Sequence, residues 1–522
     1  MAFLAELLDS PHALQGVGVV LILCLISSFW EDLMDEIPYT RVPLVGKKWW
    51  ELSNQKAKSH FAASARAMIT EQFAKGVNVF QVMASTRPMI ILHPKYIDEI
   101  KNHPYLTFTG AAEKDFFDDR VPGFDAFHHG KASQIVIDVV RIRLTQAQGS
   151  LIALLSKETA KTVIDAFPPS DEWKPYNFSH KVPYMVARIS SLAFLGEKIC
   201  RNQDWINVAV HYTIDAFLAA RQLRQWPSVL RPLVHWFLQD AKRLRKHLAV
   251  ARFIVDSEVE KRRLIREGKL PPDDPPRTHA DCLDWFEELA QSHHMKVDMA
   301  RGQIGLTLAA THTTSNLLIN IMYDLAAYPE YIEPLRDEIR AVAVEDGALK
   351  KTSLLKMKLM DSVMKETQRL HPPGLVSMNR LAHREIPLSD GTIIPKGATV
   401  AVSAHIVHED ENIYPNATEF DGYRFYKKRQ EPGHQHRHQL VTTTRESLGF
   451  GHGVHACPGR FFAANESKLL LIHMLLRYDW KLKEGKQRPK NLELGVESLT
   501  DPTVELLFRS REPEIDLRML GA

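Results

Sequence analysis

The chain has 522 residues, 45% of them hydrophobic and 25% charged, with 66 lysines and arginines against 63 aspartates and glutamates. These globular proportions exclude wholesale disorder and fibrous repeats, and a net charge of +3 argues against a nucleic-acid binder working by bulk charge. The four cysteines, Cys24, Cys200, Cys282 and Cys457, form no C-x-x-C pair and no disulfide framework, which suits a reducing compartment.

In chain order, the first predicted element is a membrane helix. Residues 13–30, ALQGVGVVLILCLISSFW, carry no charge. At about 1.5 Å per residue they reach about 27 Å, close to a bilayer core. No Lys or Arg precedes Arg41, so the basic start of a cleaved signal peptide is missing. Arg41, Lys47 and Lys48 follow the span, which places residues 1–12 in the lumen and the rest of the chain in the cytosol. On that side the sequons at Asn177, Asn416 and Asn465 are chance matches. Residues 31–56 read as a linker, and its Trp49–Trp50 pair suits a membrane interface or ordinary packing.

Helices are predicted at 57–74, near 95–102, and at 131–165, 203–222, 236–264, 297–328 and 329–345. Two short strands fall within 77–93 and further short strands within 386–403. PPDDPP (271–276) is a break, and HPPG (371–374) ends a helix that starts near Ser353. A long helix follows Pro458 to about Arg477, and the last 35 residues read as strand and turn. No boundary splits residues 57–522. The fold class is mainly α with small β-sheets, an α+β arrangement.

Phe450–Gly459 reads FGHGVHACPG, with Gly453 four residues before Cys457, His455 two before and Gly459 two after. Glycines beside a cysteine let the backbone approach a flat body. A helix N-terminus just after the cysteine supplies N–H donors to a thiolate. His455 is placed to meet a carboxylate. The loop resembles F-x-x-G-x-[R/H]-x-C-x-G, the signature of the cytochrome P450 family of haem-thiolate monooxygenases. The resemblance implies one haem domain over residues 57–522, with Cys457 as axial ligand of the haem b iron and Phe450, Gly453, His455 and Gly459 around the cofactor.

Glu366 and Arg369 share a helix face in MKETQRLHPP. With Arg424 of EFDGYRF they resemble the family's buried charge network beneath the cysteine loop, although Gly422 stands where that motif usually has proline. Arg380, eleven residues after Arg369, is implied to reach a haem propionate with His455. The family's W-x-x-x-R contact is absent, which leaves Lys131, Arg141 and Arg143 as candidates.

Gly302, Gly305, Ala309 and Thr313 share one face of the 297–328 helix. Such a small-residue strip suits either tight helix packing or passage over a flat body. AATHTT (309–314) resembles the family's oxygen motif. That resemblance sets Ala309 and Ala310 against the cofactor and makes Thr313 the residue that organises water beside bound dioxygen. The motif's acid is replaced by His312, a candidate proton relay. HQHRH (434–438) could put alternating histidines on one strand face to bind metal; a solvated loop is the plainer reading.

The resemblance also implies electrons from an NADPH-dependent haemoprotein reductase, with cytochrome b5 as a further donor. It implies an apolar small-molecule substrate, contact with membrane lipid, and an endoplasmic reticulum location. RLHPPGLVSMNR, DGTIIPKG and FGHGVHACPGRFFAANE resemble fungal members that tailor terpenoids, meroterpenoids, alkaloids or polyketides. Two alternatives stand beside this reading: a haem-thiolate isomerase or peroxide-dependent enzyme needing no reductase, and a non-catalytic membrane haem-binding protein. Residues 1–40 hold six acids and no Lys or Arg, so residues 41–522 carry +9. That basic charge suits an acidic reductase and an anionic leaflet.

Overall fold

The computed structural model describes residues 36–520, apart from 52, 86, 118, 119, 129, 228 and 229, together with residues 15, 16, 18 and 19. The expected membrane helix over residues 13–30 therefore lies almost wholly outside the described residues. Among the described residues no helix is long and apolar enough to cross a membrane.

The strands are β1 (Leu44–Val45), β2 (Val79–Met83), β3 (Pro88–Leu92), β4 (Leu106–Thr107), β5 (Lys174–Tyr176), β6 (Val376–Ala382), β7 (Ile386–Pro387), β8 (Ile393–Ile394), β9 (Thr399–Ser403), β10 (Tyr478–Leu482), β11 (Leu492–Leu494), β12 (Glu497–Leu499) and β13 (Leu506–Ser510). They form a six-stranded sheet in the order β1-β2-β3-β9-β6-β4, a three-stranded sheet β10-β13-β5, and hairpins β11-β12 and β7-β8. β2, β3 and β9 are buried along their whole length, which is why they read as continuous apolar runs. The polar residues among them are Gln81, Thr399 and Ser403, and Gln81 donates to the carbonyls of Tyr39 and Val42, each at 2.6 Å.

The longer helices are α1 (Gln55–Ala74), α2 (Thr145–Ala166), α3 (Phe178–Leu195), α4 (Gln203–Leu223), α5 (Gln239–Arg266), α6 (Cys282–Ser292), α7 (Met299–Ala327), α8 (Ile332–Asp346), α9 (Lys358–Leu370) and α10 (Arg460–Arg477). Helix α7 runs through the main core, packed by α3, α4, α5, α9 and α10. The sequence pattern missed α3, because Pro183 interrupts it and most of its faces are buried, serines included. Its ends carried the signal: Asn177 caps the first turn through the N–H of His180, and Gly196 closes it at φ +84°. α6 was missed too, despite a capping box between Asp281 and Asp284. The helix predicted at 131–165 is interrupted by wider turns over Val139–Leu144. The one predicted to start near Ser353 breaks at Met357, after which the Glu338 carboxylate accepts the N–H groups of Leu359 and Met360.

Helix α9 carries the buried charge. Glu366 is fully buried; Arg369 donates to both of its oxygens, at 2.9 and 2.7 Å, and Arg424 Nε donates at 2.9 Å. The remaining guanidinium N–H groups are spent on backbone carbonyls, Arg369 on those of His408 and Ala417, Arg424 on those of Pro415 and Asn416. Gly422 has a local reason: its N–H donates to Tyr331 Oη at 3.1 Å, and a Cβ there would stand 2.6 Å from the Tyr331 ring. Proline could do neither.

α10 is anchored to α3 by Glu466, which is fully buried and accepts from Ser190 Oγ at 2.6 Å. Burial raises this carboxyl to about 8.

Two outcomes follow from these buried carboxylates. Glu366→Ala leaves two buried guanidinium groups without their carboxylate, a loss of about 3–5 kcal/mol that a lowered denaturant midpoint reads. Glu466 stays protonated in the fold at pH values where the unfolded chain ionises it, so its contribution to stability is lost as pH rises from about 4.5 to about 8. Midpoints measured across that range fall less steeply in Glu466→Gln than in the wild type.

Candidate active site

The loop before α10 is folded by its own backbone. The N–H of Gly451 bonds to the Leu448 carbonyl at 2.8 Å, that of Cys457 to the Phe450 carbonyl at 2.8 Å and that of Ala456 to the Gly453 carbonyl at 3.0 Å. Gly453 holds φ +80°, and a Cβ on it would lie 2.2 Å from the Lys101 carbonyl oxygen. No other residue fits this approach. Val454 N–H is shared between the Lys101 carbonyl and Asn102 Oδ1. These contacts tie the loop to a segment some 350 residues earlier.

Cys457 is half-buried and free of any disulfide. Burial raises its thiol above the ordinary range, opposed by the backbone N–H groups of Gly459 and Arg460 and by the Arg460 charge. Those donors stand at the N-terminus of α10, where Gly459 is the cap residue. A sulfur held this way is a poor free nucleophile and a good metal ligand, since coordination by a cation removes the proton. The sequence reading passed over Arg460. Its Nη1 donates to the Cys457 carbonyl at 2.9 Å and its Nε to the Val441 carbonyl at 3.1 Å, bracing the loop from behind. Its place directly after Gly459 was the available signal. Phe450 packs half-buried on the main core.

Arg380 lies in β6 and is 2% exposed. Its Nη1 donates to the Asn379 carbonyl at 2.7 Å, while Nε and Nη2 are buried with no partner among the described residues. Burial lowers this guanidinium to about 10. His455 is lowered by burial and next by the Arg380 charge, so the two groups are neighbours. The His455 Nε2 meets the Leu106 carbonyl at 3.1 Å. Arg141 pairs with Asp138, Arg143 pairs with Glu288, and the Lys131 side chain lies outside the described residues.

The small-residue strip of α7 splits into two uses. Gly302 is buried against the Phe286 ring, where a Cβ would stand 2.9 Å from it, so this glycine serves helix packing. Ala309 and Thr313 are exposed and Ala310 half-buried, although Leu306, Thr307, Thr311 and Thr314 around them are buried. Thr313 Oγ1 donates back to the Ala309 carbonyl at 2.6 Å, leaving its lone pairs free to accept. His312 faces α4 instead: its Nε2 donates to the Val210 carbonyl at 2.8 Å, and burial lowers its pKa, which keeps the ring neutral. The structure therefore joins Ala309 to Thr313 and turns His312 to a different neighbour.

These groups fit a haem. Cys457 offers a bare sulfur with backbone donors, Arg380 two unspent N–H groups beside His455 for a propionate, and Ala309 a small surface for a flat ring.

Comparison with known proteins agrees with the geometry. The cytochrome P450 family model matches residues 43–508. The cytochrome P450 monooxygenase calE of Penicillium decumbens is 38% identical, over 95% of this chain and 96% of its own length. The cytochrome P450 monooxygenase ptmU of Penicillium ochrochloron is 37% identical, over 92% of this chain and 94% of its own. Among solved structures, the retinoic acid bound cyanobacterial CYP120A1 matches with a TM-score of 0.63 at 18% identity, over 90% of this chain and 99% of that one, a likeness of fold. By the match of its family model and the breadth of these likenesses, the chain belongs to the cytochrome P450 family.

Proposed function

We propose that this cytochrome P450 monooxygenase inserts one oxygen atom from O2 into an apolar substrate of fungal secondary metabolism, of the terpenoid, meroterpenoid, alkaloid or polyketide kind. The observation that carries the reading is the Cys457 sulfur at the start of α10, where the N–H groups of Gly459 and Arg460 and the Arg460 charge favour its thiolate, with Arg380 beside His455 holding unpartnered guanidinium nitrogens among the described residues. A haem bound there would supply thiolate-ligated iron for O2 chemistry driven by reductase-derived electrons.

The chain's own residues have separable tasks. Cys457 would hold the haem iron through its sulfur. Gly459 and Arg460 moderate its charge through their N–H groups. Arg380 and His455 hold a propionate, and Gly453 allows the loop its close seat on Lys101. The small side chains of Ala309 and Ala310 would leave room for a flat cofactor beside α7. Thr313, with its hydroxyl hydrogen committed to the Ala309 carbonyl, accepts a hydrogen bond from water and fixes that water's direction. His312 packs toward α4 with its Nε2–H held by the Val210 carbonyl, and takes no part at the Thr313 face.

The membrane assignment rests on the sequence of residues 13–30 and on an apolar surface. Trp226, Leu230, Leu233, Trp236 and Phe237, between α4 and α5, are exposed, as are Ile37, Trp49 and Trp50 near the start of the described chain. Glu36 joins the two regions by pairing with Arg231 at 3.0 Å. Exposed apolar surface of this extent marks a contact site, and a bilayer beside the anchor is the natural occupant. The proposal is completed by a single pass through the endoplasmic reticulum membrane with a cytosolic haem domain, served by an NADPH-dependent reductase and by cytochrome b5.

Reconstitution with NADPH and a reductase tests this. Product formation depends on both, and turnover with peroxide alone would support the reductase-independent reading instead. Thr313→Ala raises peroxide released per NADPH severalfold while the protein keeps its haem; unchanged coupling contradicts the role given to Thr313.

A further inference from the structure

The HQHRH run lies in none of the machinery above. It sits in a turn, not on a strand, so the alternating positions do not share a face. The rings that meet are four residues apart. His438 Nε2 stands 3.2 Å from His434 Nδ1, with ring centroids 5.1 Å apart, and Glu431 Oε2 stands 3.3 Å from the same His434 nitrogen. His438 adopts φ +59°, the left-handed region, so the backbone doubles back there. His436 is exposed and has no part in the pair.

We propose that His434 and His438 form a two-imidazole surface site for a divalent transition metal of the zinc or nickel kind, with solvent completing the coordination. Three observations carry this. Two nitrogen ligands at about 2.0–2.1 Å from a tetrahedral zinc stand about 3.3 Å apart; this pair stands at 3.2 Å in a ring-to-ring hydrogen bond, which a metal replaces as the shared proton leaves. Imidazole suits these metals, and a surface turn admits them without a channel. The Glu431 carboxylate beside His434 supplies negative charge against the nearby Lys365 and Lys428. Among the described residues no three His, Cys, Asp or Glu side chains enclose a metal, so the site is a bidentate clamp and not a closed cage.

The position gives the clamp a mechanical consequence. The segment leading on from His438 is held from beneath: Lys365 Nζ donates to the carbonyls of Gln439 and Thr442, and Asp361 accepts the Leu440 N–H. Val441 receives Arg460 Nε, which braces the cysteine loop. A metal across His434 and His438 closes the open end of this segment.

Calorimetric titration of the tag-free, full-length holoprotein with zinc alone tests the proposal. Wild type and His436→Gln bind one equivalent with matching affinity, whereas His434→Gln and His438→Gln each bind it roughly tenfold or more weakly. Zinc raises the melting temperature of the first two proteins only. Equal titrations for all four proteins, or no saturable binding by the wild type, overturn the proposal. None of these readouts depends on turnover, so they stand apart from the monooxygenase reading.

Discussion

The Glu366 carboxylate, shared by Arg369 and Arg424 in a buried pocket, is the constraint on which the site rests. Isolating any one of these charges in the core costs far more than a surface pair returns, so α9 and the 408–424 segment are locked together. From that lock α9 supports the approach to the cysteine. Asp361 and Lys365 grip the backbone of 439–442, and Gln368 packs so closely on Gly449 that a Cβ would overlap it. These protein contacts position the segment that leads into the Cys457 loop.

On this platform the chain separates tasks that one helix could not combine. α10 supplies N–H donors from its first residues and carries Glu466 into the core one turn and more later. α7 is buried on almost every side yet leaves Ala309 and Thr313 open. β6 delivers Arg380 with two guanidinium nitrogens unpartnered among the described residues, a cost that a carboxylate removes.

Much of this was legible from short-range chemistry. The spacing of Gly453, His455, Cys457 and Gly459 expresses requirements within one loop, and Glu366 with Arg369 expresses one turn of helix. What the sequence hid were choices made by distant partners. The Lys101 carbonyl decides why Gly453 must be glycine, Tyr331 decides Gly422, Phe286 claims Gly302 for packing, and Val210 turns His312 away from the Thr313 face. α3 escaped because a helix buried on most faces shows no apolar period, and Pro183 disguised it further. The pairing of His434 with His438 depends on a left-handed turn that no alternation pattern encodes.

The central claim is that Cys457 is the thiolate ligand of a haem iron in this scaffold. The ferrous–carbon monoxide difference spectrum tests it most directly. The account predicts a strongly red-shifted Soret band in the wild type and its loss in Cys457→Ala, with Cys200→Ala and Cys282→Ala retaining it. A wild-type protein without that band, or a Cys457→Ala variant that keeps it, would contradict the account.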